Sequence, residues 1–405
     1  MRGAGFGSGG AEFELLLLAV RHDCAVLATG QGDQTGRGPE EIRGESLREA
    51  GELVESRAVD WDELYGRARA HRVRPQLAEL IRLISSSRVP GDFRERLDDY
   101  IRENLSLQLR TVAEFSRLWR ILEGAGVAAV PFKGFWLAQE YYGDLAARES
   151  GDLDLYFHFR DFDRVVALMA ANGYTAEVST SPAFIKKIKR VSAEYNFERY
   201  EQGEKVLHAE FHWRIGSAYH GLDMTLDELT PHVVTGLIDG RHYPVFDASA
   251  NLLLAVMHHG GKDPLLELKY FCDIARFFRC ADDIDARWVL EMARRHRMER
   301  LLEVALILTE RVTGVKVPEV MRRFDAAAER IADGRMRIIE GSPGTWTGGR
   351  ADWQNLLFHL RTRRGFGLRA RMVYESARSV AVTRLSPDRL MKAYLKRRYS
   401  IERAG

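Results

Sequence analysis

The chain has 405 residues, is 45% hydrophobic and 29% charged, and carries a formal net charge of +2. That length predicts two or three domains rather than one core, and the composition is that of a soluble globular protein. A charge so near zero excludes a global pull toward nucleic acid or membrane, although residues 351–405 hold thirteen Lys/Arg against four Asp/Glu, a local net of +9. Cys24, Cys272 and Cys280 are too few for a disulfide framework or a four-cysteine zinc site. A reducing, cytoplasmic setting is therefore expected. The apolar run Leu15–Val20 is too short for a membrane span and a poor signal peptide, so no membrane partner is expected.

In chain order, residues 1–10 are Gly-rich and read as disordered. Phe13–Cys24 reads as a short helix with an apolar stripe, and Thr29–Arg43 as a loop. From Glu45 to Gly124 helical periodicity dominates. Asp60-Trp61-Asp62-Glu63 has the form of a capped helix start. Leu77, Leu80, Ile81 and Ile84 line one side of a helix over Pro75–Ser85. Leu105, Leu109, Val112, Phe115, Trp119 and Leu122 are expected to form the buried face of a long helix that stops at Gly124-Ala125-Gly126.

The pattern then changes. Val127–Phe132 reads as a buried strand, followed by Lys133-Gly134 and a helical turn over Phe135–Tyr142. Gly151–Phe157 alternates polar and apolar residues, as a strand does. Phe162, Val165, Val166 and Met169 lie at helical spacing, and Asn172-Gly173 ends that helix. Tyr195–Tyr200 and Val206–Ile215 read as two strands around Glu201–Glu204. From Asp247 helices return, over Leu252–His259, Leu265–Phe278, Ala286–His296 and Arg300–Val312. Ser342–Asp352 is a Gly-rich boundary, and the basic tail reads as helical.

This order divides the chain into a leading segment (1–44), a helical region (45–126), an α/β domain (127–246), a second helical domain (247–340) and a basic tail (341–405). The class is α+β: a small α/β unit with helical flanks.

Side chains on a strand alternate between faces. Asp152 and Asp154 therefore share one face of their strand, and Leu153, Leu155 and Phe157 the other. Two carboxylates this close repel and are costly to desolvate, so a cation is expected between them. Hard oxygen donors suit Mg²⁺. The strand Val206–Ile215 repeats the logic, with His208, Glu210 and His212 on one face. If the two strands are neighbours, Glu210 is the third carboxylate, and such a trio can hold two Mg²⁺ for phosphoryl transfer. Lys133 and Gly134 stand between strand and helix, where backbone and ammonium can meet an anion. Arg148 and Ser150, just upstream of the aspartates, are placed to reach phosphate oxygens. His208, His212 and the pair His258-His259 are more often packed or hydrogen-bonded than metal-ligating.

Phe132-Lys133-Gly134, Tyr142-Gly143-Asp144, Arg148-Glu149-Ser150-Gly151-Asp152-Leu153-Asp154-Leu155 and His208-Ala209-Glu210-Phe211-His212-Trp213 together resemble the uncharacterised bacterial nucleotidyltransferase family of the DNA polymerase β-like superfamily. The resemblance spans roughly Phe13 to Val315. It extends to His258-His259, Lys262, Asp273 and Trp288, and the Lys-Gly…Asp-x-Asp arrangement is also similar to toxin-type nucleotidyltransferases. It implies the polymerase β-like mixed sheet with a helical companion. It also implies transfer of a nucleoside monophosphate from an NTP to an acceptor hydroxyl, with release of pyrophosphate.

On that footing Asp152, Asp154 and Glu210 hold the metals and carry catalysis. Lys133, Gly134, Arg148 and Ser150, with Lys262 and Lys269 from the helical side, meet the nucleotide. The superfamily's usual Gly-Ser or Gly-Gly is here Gly134-Phe135. A non-catalytic nucleotide-binding module and a toxin-like enzyme acting on tRNA are the other readings. The acceptor, whether small molecule, peptide or RNA, is not written in the sequence, and neither is the oligomeric state.

Overall fold

Apolar periodicity and capping residues set the first helices of the computed structural model, which describes residues 10–27, 38–177, 185, 192–215, 222–261, 264–278, 284–341 and 349–385. These helices are α1 (Ala11–Cys24), α2 (Pro39–Ser56), α3 (Trp61–Ala70), α4 (Arg74–Leu83) and α5 (Gly91–Gly124). As expected, the Asp60 carboxylate caps α3 by accepting from the Glu63 N–H at 2.9 Å. Pro39 occupies the first turn of α2, so the expected loop gives way to helix by residue 39. Residues 1–9 and 28–37, where the Gly-rich lead and most of that loop were expected, lie outside the described residues.

Two helices depart from their sequence reading. α1 has no exposed apolar-polar division, since only Glu14 and Arg21 along it escape burial. A helix apolar on nearly every side is a core helix, and α1 packs against α2, α3 and α4. On α5 the buried face is rotated from the expected one. Leu105 and Leu109 are exposed, at 37% and 53%, while Asn104, Gln108 and Thr111 are buried beside Val112, Phe115, Leu118 and Leu122. The reason lies in what that face touches, as described below.

Among the described residues the main sheet has five strands in the order β1 (Ala129–Pro131), β2 (Leu153–Phe157), β5 (Glu204–His212), β4 (Glu194–Glu201) and β3 (Tyr174–Ala176). β2 and β5 are parallel, and the remaining pairs are antiparallel, so the sheet is mixed. The β4–β5 hairpin turns at Gln202 and Gly203, both with positive φ (50° and 86°), the geometry that matches strand twist. One sheet face is aromatic: Phe211 lies 5.8 Å from Phe157 and 5.5 Å from Phe197. Phe162 of α7 (Phe162–Ala171) packs 5.4 Å from Tyr195.

α6 (Gly134–Leu137) starts directly after β1, and α8 (Leu226–Leu229) precedes a second hairpin, β6 (Val233–Ile238) and β7 (Arg241–Phe246). The sequence reading missed that hairpin. Its signal was Asp239-Gly240, both at positive φ (47° and 73°). The remaining helices are α9 (Ala248–Gly261), α10 (Leu268–Phe277), α11 (Ala286–Arg295), α12 (Glu299–Thr313), α13 (Ala326–Gly341), α14 (Gly349–Thr362) and α15 (Phe366–Leu385). α10 and α12 also pack on α1, which joins the two helical regions that flank the sheet. No helix among the described residues is long and apolar enough to cross a membrane. The fold is α+β, a mixed sheet with helices before and after it.

Candidate active site

The register of β2 on β5 sets the centre of the site. Asp154 is paired with Glu210, and Tyr156 with His212. Asp154 and Glu210 are therefore side by side on adjacent strands, on the face opposite Leu155 and Phe211. Both are buried, at 3% and 8% exposure. Oxygens of Asp154 and Glu210 and a ring nitrogen of His212 lie within 4.8 Å of one another. Asp152, half-buried one pleat upstream, lies close enough for its carboxyl to feel the charges of Asp154, Glu210 and Lys133.

This cluster carries its own cations. Lys133 Nζ donates to Asp154 Oδ1 at 2.8 Å and to His258 Nε2 at 3.0 Å. His212 Nε2 lies 3.0 Å from Asp154 Oδ1 and 3.3 Å from Glu210 Oε2, while its Nδ1 lies 3.3 Å from Glu194. His208 Nε2 lies 3.4 Å from Glu210 Oε1. The electrostatics follow from these contacts. Burial pushes the Asp152 carboxyl up, and the Asp154 and Glu210 charges push it further. Burial would also raise Asp154, but Lys133 and the His212 hydrogen bond outweigh it and hold Asp154 below the usual carboxylate value. Burial disfavours a charged His208, yet the hydrogen bond and charge of Glu210 lift its pKa to about 9. His212 is likewise raised against its burial, by Glu194, Asp154 and Glu210.

Lys133 adopts φ 60° and ψ −152°, a conformation nearly confined to glycine. Gly134 follows at φ 52°, where a Cβ would stand 3.2 Å from the Asp152 carbonyl oxygen and 3.4 Å from Ser150 Oγ. Glycine at 134 thus serves both the backbone conformation and the close approach of the strand that brings in the aspartates. Phe135 is 1% exposed and packs 5.0 Å from Phe115 in the core.

The loop from Leu145 into Asp152 is held from outside the sheet. Asn104 Nδ2 of α5 donates to the carbonyls of Ala146 (3.0 Å) and Arg148 (3.2 Å), and Gln108 Nε2 to that of Ser150 (2.7 Å). Gln76 of α4 donates to the Ala147 carbonyl at 2.9 Å, and Lys269 of α10 to the Glu149 carbonyl at 3.3 Å. Every carbonyl from 146 to 150 therefore accepts from a buried side chain. This is why α5 turns polar residues inward and leaves Leu105 and Leu109 outside. The sequence reading passed over Gln76, Asn104 and Gln108. The available signal was the i, i+4 spacing of Asn104 and Gln108 on a helix otherwise counted by its leucines.

The remaining sequence-chosen residues are placed as follows. Arg148 is 3% exposed and directs its guanidinium to Asp273 and to the Gly134 carbonyl, rather than into a cleft. Lys269 is 6% exposed beneath Glu149, and burial, with Arg72 and Arg148 nearby, lowers its pKa to about 8. Ser150 is half-buried beside Gly134. Lys262 lies outside the described residues. A cavity of about 330 Å³ between Trp136, Tyr141, Phe277 and the β6–β7 hairpin includes none of the three acidic residues.

The donor set fits a hard divalent cation: carboxylate oxygens from Asp154 and Glu210, with Asp152 adjacent. The His212 imidazole, placed between the two carboxylates, is suited to orient them by hydrogen bonding. A family model described as an uncharacterised nucleotidyltransferase matches residues 57–314. No curated protein and no solved structure gives a match.

Proposed function

The chain belongs to this uncharacterised nucleotidyltransferase family, and from that premise we propose that it transfers a nucleoside monophosphate from an NTP to an acceptor hydroxyl, releasing pyrophosphate. The observation that carries the reading is the pairing of Asp154 with Glu210 across β2 and β5, with both carboxylates buried and within 4.8 Å of His212. Asp152, Asp154 and Glu210 would hold two Mg²⁺. Bound there, the metal supplies the positive charge that draws in the triphosphate and acidifies the acceptor hydroxyl.

The protein's own groups do the rest. Lys133, on a long flexible side chain, already contacts Asp154 and is the cation placed to pass to a phosphate oxygen. Gly134 and Ser150 shape the floor beneath it. His212 and His208 keep the Glu210 carboxylate oriented, and a Glu210 oxygen takes the acceptor proton. Arg148 and Lys269 act from below, by fixing the loop that carries the aspartates. The proposed setting is the cytoplasm, where triphosphates are abundant and thiols such as the free Cys24 and Cys272 stay reduced.

The test is calorimetric titration of ATP, CTP, GTP and UTP with Mg²⁺, followed by a pyrophosphate-release assay across acceptor pools that include total RNA. At least one NTP binds, and pyrophosphate appears only with the right pool. Binding without release from any pool would mean a nucleotide-binding module instead, and no binding of any NTP would refute the reading.

A further inference from the structure

Asp273 lies on α10, far in sequence from the sheet, and is 1% exposed. Its Oδ1 and Oδ2 each accept from Arg148, from Nε and Nη2, both at 2.8 Å. Tyr142 Oη donates to the same Oδ1 at 2.7 Å, and His259 Nε2 stands 3.6 Å from Oδ2. The third arm of Arg148, Nη1, donates to the Gly134 carbonyl at 3.3 Å. One planar guanidinium therefore ties the α10 carboxylate to the backbone of the Lys133-Gly134 turn.

That turn is the strained element of the site. Lys133 holds its glycine-like conformation while its ammonium reaches Asp154, and a conformation of this kind persists only where neighbours over-determine it. Phe132 N–H donates to the Asp154 carbonyl at 3.2 Å, and only the missing Cβ of Gly134 lets the turn approach the Asp152 carbonyl, so a shift of the turn reaches the aspartate strand. A second line of contacts runs along the helical side, Lys133 to His258 at 3.0 Å and His258 to His259 at 3.4 Å, and it ends with His259 Nε2 3.6 Å from Asp273, an electrostatic contact rather than a hydrogen bond.

We propose that Asp273, acting through Arg148, is a positioning residue for the nucleotide–metal site. It fixes the Lys133-Gly134 turn and, through it, the distance between Lys133 Nζ and the aspartates. The inference deepens the nucleotidyltransferase reading and rests on it for its ligand.

An ion pair that also draws on α10 gives the control. Arg276 Nη2 donates to both oxygens of the buried Asp23 of α1 at 2.8 Å. The pair borders the same region, with Arg276 3.6 Å over the Tyr142 ring and Asp23 beside Gln76, but Asp23 lies at least one partner further from the Gly134 carbonyl than Asp273 does. Asp273→Asn and Asp23→Asn each weaken a buried Arg–Asp ion pair to which α10 contributes one partner, so both lower the melting temperature. Only Asp273→Asn acts on the site. With Mn²⁺ and each of ATP, CTP, GTP and UTP in turn, it raises Kd at least tenfold for the NTP that binds, whereas Asp23→Asn stays within twofold of the wild type. Arg148→Lys keeps a positive charge beside Asp273 but cannot span both of its oxygens and the Gly134 carbonyl, so it follows Asp273→Asn.

A second readout needs no ligand. Amide hydrogen exchange over 132–135 and 150–154 accelerates at least tenfold in Asp273→Asn and Arg148→Lys but not in Asp23→Asn. Wild-type affinity and unchanged exchange in folded Asp273→Asn and Arg148→Lys would overturn the inference, as would Asp23→Asn matching them in both. A wild type that binds no NTP, with exchange still rising in Asp273→Asn and Arg148→Lys alone, would refute the nucleotide reading while upholding the positioning role.

Discussion

The two halves of the acidic site arrive by different physics. Glu210 comes in on the β4–β5 hairpin, whose position is set by its own ladder and a tight turn at Gln202-Gly203. Asp152 and Asp154 come in at the start of β2, behind a loop whose carbonyls from 146 to 150 are held one after another by side chains of α4, α5 and α10. A local device delivers one carboxylate, and distant helices hold the approach to the other two. The helical regions are thus part of the site's construction, and damage to them should reach the aspartates before it reaches Glu210.

Acid gives the widest separation of the halves. His71 joins α3 to α10 through its backbone carbonyl, which accepts from the Lys269 N–H at 3.2 Å, and its imidazole is held at a pKa of about 4 by burial and the nearby Arg67. His259 is also held at about 4, by burial and the Lys269 and Lys133 charges, against the pull of Asp273. Their folded pKa values lie below the ordinary histidine value, so each contributes stability above about pH 6.5 that is lost as pH falls toward 4. The loss is roughly 3 kcal/mol for each if fully expressed. His208 on the hairpin, with a pKa of about 9, is already charged and adds no such load. Denaturant titrations between pH 7 and pH 4 should show this fall, and His71→Gln should reduce it.

Next comes the shared centre. Asp154→Asn should weaken Mg²⁺–NTP binding at least a hundredfold, about 2.7 kcal/mol, measured by calorimetry. A loss below fivefold would detach Asp154 from the site. Asn104→Ala removes the donor from the Ala146 and Arg148 carbonyls and should cost about 1–3 kcal/mol of stability, with a several-fold loss of NTP affinity. The smallest effect belongs to the hairpin. Gly203→Ala at φ 86° should cost about 1 kcal/mol and leave NTP affinity within twofold. If Gly203→Ala weakened binding more than Asn104→Ala did, the contrast between the halves would be wrong.

The same contrast explains what the sequence made legible. Leu207, Ala209 and Phe211 alternate with His208, Glu210 and His212, and the strand that results places them on opposite faces as read. Two such alternations bring the carboxylates together only if the strands are neighbours, a condition that the pairing of Asp154 with Glu210 meets. The helix starts at Asp60 and over Pro75–Ser85 were visible because caps and apolar spacing are local. The uses of Arg148, Gln76, Asn104 and Asp273 were not, because each partner lies far away in sequence. A buried Asn or Gln facing a loop carbonyl looks, in a sequence, like a solvent-facing one. α5 shows the consequence: counting leucines chose the wrong face, since part of the buried face is polar.

The central claim is that Asp152, Asp154 and Glu210 together grip divalent cations beneath a triphosphate. Its most direct test is anomalous scattering from crystals grown with Mn²⁺ and a non-hydrolysable analogue of the NTP that binds. The account predicts peaks about 2.1 Å from carboxylate oxygens of Asp154 and Glu210, with Lys133 Nζ displaced from Asp154 toward the phosphates. Peaks elsewhere, or none with Lys133 still seated on Asp154, would contradict it.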